Sequence, residues 1–248
     1  MKRTNTILVL GTLILAVLAF SCTKDENPSV GFTLKATGTT APTDDELLQG
    51  SDNPEPLQLE WNTAWIYITH LDFRAQYFGL SDLMGKDTYP DVHIEWQGNQ
   101  KVDLLSEPLT FGTIEIPEGN FKNFSLVMTS ARLGTYNEPN FYLEGNYGPI
   151  FGGTPISVSV TEEFDMELNY DGEQDISTSD AYLFEGLISF SLDHVFDGIT
   201  SEDLDKAEKT DGWILISASH NQDLYSKILE NLHTTAESSF TWGLHTIY

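Results

Sequence analysis

Cysteine is all but missing from this chain: Cys22 is the single one. No internal disulfide can form, so stability must come from packing rather than from covalent cross-links. Basic residues are scarce too, with 12 Lys and Arg against 38 Asp and Glu, for a formal net charge of −26. A field of that sign makes nucleic acid and anionic membrane surfaces poor partners. It suits solubility in crowded surroundings or, more sharply, divalent-cation binding, and composition alone favours the first. No apolar run reaches the ~20 residues of a membrane-spanning helix. Gly-x-Ser-x-Gly, a Walker loop and a Rossmann fingerprint are all absent, and the six histidines show neither His-x-x-x-His nor His-Glu-x-x-His spacing. Nothing of this kind announces a nucleophile, a nucleotide or a helical zinc site.

What is present begins at the start of the chain. Lys2 and Arg3 precede an apolar run from Ile7 to Phe20, about 14 residues, and a small residue, Ser21, stands before Cys22. This is the form of a secretory signal, residues 1–21. Leu18-Ala19-Phe20-Ser21-Cys22 resembles the bacterial lipobox, with its leucine one place further back than usual. The resemblance implies that Cys22 becomes the first mature residue and carries lipid. The plainer alternative is an ordinary signal peptide with an incidental cysteine. Lys24-Asp25-Glu26 resembles the export signal of surface lipoproteins of the Bacteroidota, which implies an outer-membrane anchor facing the extracellular side. A solvated linker and a periplasm-facing anchor are the alternatives. Residues 22–29 are read as the tether and 30–248 as one domain. Hydrophobic content of 40% and aromatic content of 12% are those of a globular protein.

Along that domain the apolar residues recur with a period of two. Val30, Phe32, Leu34 and Ala36 alternate, predicting a half-buried strand. Residues 38–55 read as a loop. Leu57 to Phe78 carries the strongest strand signal, with a change of phase: Ala64, Ile66 and Ile68 take one parity, and Trp65, Tyr67, Leu71, Phe73, Ala75 and Tyr77 the other. The first half therefore reads as buried on both faces, with Trp65 in the core. Gln97-Gly98-Asn99-Gln100 reads as a tight turn joining Val92–Trp96 to Lys101–Leu105, and Pro117-Glu118-Gly119-Asn120 as the turn of a second hairpin. Strands follow at 141–147, 156–160, 164–170 and 183–192, with an acidic loop at 171–180. Thr200-Ser201-Glu202-Asp203 opens a helix that Asp211-Gly212 ends. Trp213–Ser217 reads as a buried strand, and Asn221 as the cap of a second helix running to His233. Phe240, Trp242 and Leu244 alternate as a further edge strand. The expected fold is mainly β, an antiparallel β-sandwich with two short helices near the C-terminus (about 200–233) as an appendage.

The succession Val102-Asp103-Leu104-Leu105, Ile116-Pro117-Glu118-Gly119-Asn120-Phe121 and Phe124-Ser125-Leu126 is similar to an uncharacterised family of bacterial lipoproteins with a transthyretin-like sandwich. That resemblance, over roughly residues 30–170, implies no catalytic residues.

Candidate sites are few. Asp91, His93 and Glu95 share one face of a strand and can reach a metal ion, although a solvated strand face is the simpler reading. Asp171, Glu173 and Asp175 alternate in an acidic stretch where hard oxygens can bind calcium, but they lack the EF-hand pattern, and a plain acidic turn is simpler. No other cofactor is expected. Among the tryptophans, Trp96 beside the expected turn is the candidate for stacking on a glycan, while Trp65 and Trp213 read as core. The functional expectation is a lipid-anchored, non-catalytic module that binds a glycan or a protein outside the cell. A structural adhesin or envelope-complex subunit is the alternative, and a hydrolase with dispersed carboxylates the second.

Overall fold

The longest strand carries the architecture. In the computed structural model β2 (Leu59–Tyr77) is flanked on one edge by β3 (Val92–Asp103), which pairs with Trp65–Ala75. Its other edge is shared. The first half pairs with β6 (Phe141–Tyr147) and the second with β5 (Gly119–Ser130). Beyond β6 come β7 (Thr154–Val160), then β11 (Trp213–Ser217) and the two-residue β10 (Lys209–Thr210); beyond β5 comes β8 (Phe164–Ile176). A second sheet has the order β12 (Thr241–Thr246), β9 (Tyr182–Ser191), β1 (Ser29–Thr37), β4 (Leu109–Glu115). The structure describes residues 29–37, 57–77, 91–116, 119–131, 138–149, 152–176, 182–235 and 241–246. Cys22, Lys24, Asp25 and Glu26 lie outside the described residues. No helix among the described residues is long and apolar enough to cross a membrane.

The two sheets face each other across one core, as the mainly β sandwich reading expects. Phe32 of β1 meets Phe73 of β2 at 5.0 Å between ring centroids, and Phe190 of β9 meets Phe141 of β6 at 5.8 Å. Phe190 pairs with Ala36, and Phe141 with Ile66. The start of β1 thus lies over the late part of β2, and the end of β1 over its early part, so the two strands run in opposite directions. Gly31 and Thr33 are buried along with Val30, Phe32 and Leu34, so β1 is covered on both faces rather than one.

The phase change in β2 has a physical cause. Trp61, then Ala64, Ile66 and Ile68, then Leu71, Phe73 and Ala75 are all buried. Each switch of parity falls at an irregularity of register, between Trp61 and Thr63 against β6 and between Ile68 and His70 against β3. At the first, the extra residue is on β2 and returns its apolar set to the same face; at the second, the extra residue is on β3, and β2 there passes from β6 to β5 along its other edge. The early half is therefore one-sided, and Trp65 and Tyr67 are half-buried on the outside. β5 does the same at Asn123, in the left-handed region at φ 52°, between Phe121 and Phe124.

Both expected hairpins are corrected. Gln97–Gln100 is a bulge within the continuous strand β3, because Gly98 and Asn99 together face Thr69. β4 and β5 belong to different sheets, so they do not pair as a hairpin. Strand β8 runs on through Asp171 to Ile176 in register with β5, so the first half of the expected acidic loop is strand.

The C-terminal part completes both sheets and is no appendage. β11 pairs in parallel with β7, and β12 closes the edge of the second sheet. Helix α1 (Ser201–Lys206) starts where the sequence suggested, on a capping box between Thr200 and Asp203, and ends before the expected stop. Asp211 and Gly212, at φ 52° and 85°, instead form the two-residue turn between β10 and β11. Helix α2 (Gln222–Thr234) buries Leu224, Tyr225, Ile228 and Leu232 against β8, β11 and the 3-10 turn His194–Phe196. Asn221 precedes it but gives no side-chain cap. Its Oδ1 accepts from the Glu208 amide at 2.8 Å, and its Nδ2 donates to the carbonyls of Glu208 and Leu215 at 3.0 and 2.7 Å. Trp213 is half-buried rather than core.

Candidate functional site

Because Ile66 and Ile68 point inward, Trp65 and Tyr67 must point outward, and on β6 the inward Phe141 and Leu143 put Tyr142 and Glu144 on the same outer face. Register then assembles a strip. Tyr142 stands directly across from Trp65, and Lys101 of β3 directly across from Tyr67. The Trp65 ring lies 5.6 Å from that of Tyr142 and 5.4 Å from that of Tyr67, centroid to centroid. The Lys101 ammonium lies 3.8 Å from the Trp65 ring centroid and 5.6 Å from that of Tyr67, within cation–π reach of both.

Carboxylates border the strip. The Tyr67 hydroxyl donates to Glu138 Oε2 at 2.8 Å, and the Tyr142 hydroxyl to Glu144 Oε2 at 2.5 Å. Partial burial, then the hydrogen bond to Glu144 and its charge, push the Tyr142 phenol up to about 12. Tyr67 is raised chiefly by its bond to Glu138. Both phenols stay neutral near pH 7, and both carboxylates are oriented acceptors. Tyr142 is tilted by 30° to the Trp65 ring and Tyr67 stands edge-on to it at 77°, with the Lys101 ammonium over the indole. Aromatic surface of this kind, with acceptors at its border, can meet the C–H face of a sugar ring while bonding its hydroxyls.

Trp96, the sequence's own candidate, lies elsewhere. It pairs with Leu71 and so shares the inner side of the sheet, half-buried, with its ring 6.0 Å from that of Phe111 in β4. Gly98 makes room for it, since a Cβ there would run into the indole. The error had one source: the turn expected at 97–100 is a bulge, and the strand goes on. Trp65, Tyr67, Tyr142 and Lys101 escaped notice because their grouping depends on register, which alternation alone does not give.

A second cluster sits further along the same outer face. Of Asp91, His93 and Glu95, the structure brings the last two together with Asp72 of β2 in place of Asp91, their ligand atoms all within 4.8 Å of one another. Asp72 is directly opposite Glu95, and His93 opposite Arg74. His93 Nε2 is 3.1 Å from Asp72 Oδ1 and 3.4 Å from Glu95 Oε1. Arg74 grips Asp72 with two bonds, Nε to Oδ1 at 3.0 Å and Nη2 to Oδ2 at 2.7 Å. Those bonds hold the Asp72 carboxyl below the usual carboxylate range, against a smaller opposing effect of burial. The outward parity of Asp72 between Leu71 and Phe73 was readable; its partner on β3 was not.

Of the calcium candidates, Asp171 is exposed on the paired part of β8, and the side chains of Glu173 and Asp175 lie outside what the structure describes.

Comparison with family models, curated proteins and solved structures returned no match to this chain. The reading of function therefore rests on the sequence and these two surfaces.

Proposed function

We propose that this chain is a lipid-anchored envelope protein whose sandwich binds a glycan outside the cell, without catalysis, through the strip of Trp65, Tyr67 and Tyr142. The observation that carries the reading is the strip itself: three aromatic side chains side by side on an outer sheet face, with Glu138 and Glu144 at its border and the Lys101 ammonium over the Trp65 ring, from which a ligand would displace it. Large half-buried aromatics on an outer sheet face give up contact with water when covered, which is the driving force a ligand would use. The anchor part of the proposal rests on Cys22 and on Lys24-Asp25-Glu26.

Each part has its own test. A glycan-array screen of the purified chain should retain at least one sugar class, and Trp65→Ala should weaken the retained sugar by about tenfold or more, since a stacking aromatic is worth roughly 1–3 kcal/mol. Silence across the array, or a Trp65→Ala chain that binds like the parent, would overturn the glycan reading. Cys22→Ser should abolish palmitate labelling and move the protein out of the membrane pellet; unchanged labelling would overturn the anchor.

A further inference from the structure

We infer that Asp72, His93 and Glu95 form a site for a first-row divalent cation with zinc-like preference, bound by His93 Nε2, one oxygen of Asp72 and one oxygen of Glu95. This does not depend on the anchor or on the aromatic strip.

The donor set is mixed, one imidazole nitrogen with two carboxylate oxygens. Imidazole favours zinc and its neighbours over calcium and magnesium, while carboxylates alone would not discriminate in that direction. The spacing agrees. In a tetrahedral site with bonds of about 2.0–2.1 Å, ligand atoms stand about 3.3 Å from one another. The imidazole nitrogen lies 3.1 Å from one carboxylate oxygen and 3.4 Å from the other, and the two carboxylate oxygens lie within 4.8 Å of each other, a separation that a bound ion would have to draw in. The ligands come from two paired strands: Asp72 and Glu95 face each other across the ladder, with His93 two residues before Glu95 on the same face. Three such donors leave the fourth position open to water or to a donor from a ligand.

The surroundings add a competitor. Asp72 is only 14% exposed and is held in place by Arg74, which is 62% exposed. The guanidinium fixes the rotamer of the carboxylate, as partners of metal ligands do. It also places a positive charge beside the incoming cation and occupies lone pairs that the cation would use. Arg74 therefore sets the affinity below what the three donors could reach. The open side belongs to His93 and Glu95, which are 47% and 51% exposed and give the ion a way in.

The test is calorimetric titration of the full chain with zinc chloride at neutral pH, together with the absorption spectrum of the chain loaded with Co²⁺. One zinc per chain is expected, with an intense tetrahedral-type cobalt band. His93→Ala should weaken zinc binding by at least about tenfold, the lower end of what loss of even an outer partner of a metal ligand costs. Arg74→Gln should tighten it. No zinc uptake at millimolar concentration, uptake that persists unchanged in His93→Ala, or a weak octahedral-type cobalt spectrum in the parent chain would overturn the site. Unchanged or weaker binding in Arg74→Gln would overturn the role of Arg74 as competitor. Melting curves of both variants check that the fold survives; if His93→Ala unfolds, the cobalt spectrum of the parent chain decides.

Discussion

Tyr142 holds its proton because it is partly buried and because Glu144 accepts from it. Glu144→Gln should lower the phenol from about 12 towards its ordinary value of 10.0, with burial leaving some elevation, as near-ultraviolet titration would show. The sign for stability follows from linkage. A phenol whose folded pKa is raised stabilises the fold fully below the unfolded value and loses that contribution as pH rises through the folded one. The parent should therefore lose stability between about pH 10 and 12, and Glu144→Gln over a narrower range. Asp72 works in the opposite sense. Its depressed pKa contributes stability at neutral pH that is lost as pH falls below the ordinary carboxylate value of 3.8. Arg74→Gln should destabilise slightly at pH 7, the effect being small because Arg74 is largely exposed, and the gap to the parent should close in acid. Denaturant titration at both pH values measures this. Asn221, with three hydrogen bonds and a left-handed backbone at φ 49°, is a stronger case. Asn221→Ala should cost about 2 kcal/mol or more, and Asn221→Gly less, because glycine keeps the backbone conformation. The sequence marked Asn221 as the residue before a helix, which is correct. It could not show that the side chain turns back to Glu208 and Leu215, because that choice depends on a hairpin folded against it.

At the level of elements, β2 shows what alternation can and cannot tell. Its two parities were visible in the order of Ile66, Ile68, Leu71 and Phe73. Read as two buried faces they put Trp65 in the core; the structure has one buried face, whose parity changes at a bulge after Trp61 and again after Ile68, where β2 changes partner. Gln97-Gly98-Asn99-Gln100 and Pro117-Glu118-Gly119-Asn120 read as hairpin turns because glycine, proline and asparagine signal a backbone conformation, not a topology. The first of these stretches is a bulge, and the strands flanking the second belong to different sheets. The near-contact of β2 with β6 offers a test. Gly145 pairs with Trp61 beside the first bulge, and a Cβ there would run into the carbonyl oxygen of Glu60. The obstacle is backbone, so it cannot swing aside. Gly145→Ala should therefore destabilise by about 1–3 kcal/mol, seen as a lower Tm, whereas alanine at an ordinary strand glycine would be neutral or better.

For the molecule as a whole, charge and cysteine content decide the behaviour in solution. With one cysteine no bridge can form within the chain, so Tm should not move on addition of a reductant. With a net charge of −26 the folded chain repels itself, and added salt screens that repulsion over about 10 Å at 0.1 M. Raising sodium chloride from low to physiological strength should raise Tm by a few degrees, read by calorimetry. The mainly β class and the two helices were legible because period, caps and length are local properties. The division of strands between sheets, the parallel pairing of β1 with β9 and the outer strip were not, because they depend on which distant segment lies alongside which.

The opposed directions of β1 and β2 carry one more consequence for a tethered molecule. Ser29, where the described chain begins, lies towards the Tyr77 end of β2, whereas Ala36, seven residues and about 23 Å further along β1, lies over the part of β2 that holds Ile66 and Trp65. A leash from Cys22 to Ser29 is at most about 24 Å long. On the proposed anchor, the Tyr77 end of β2 would be the end of the sandwich nearest the lipid, with the aromatic rings set back from it towards the other end of the same strand.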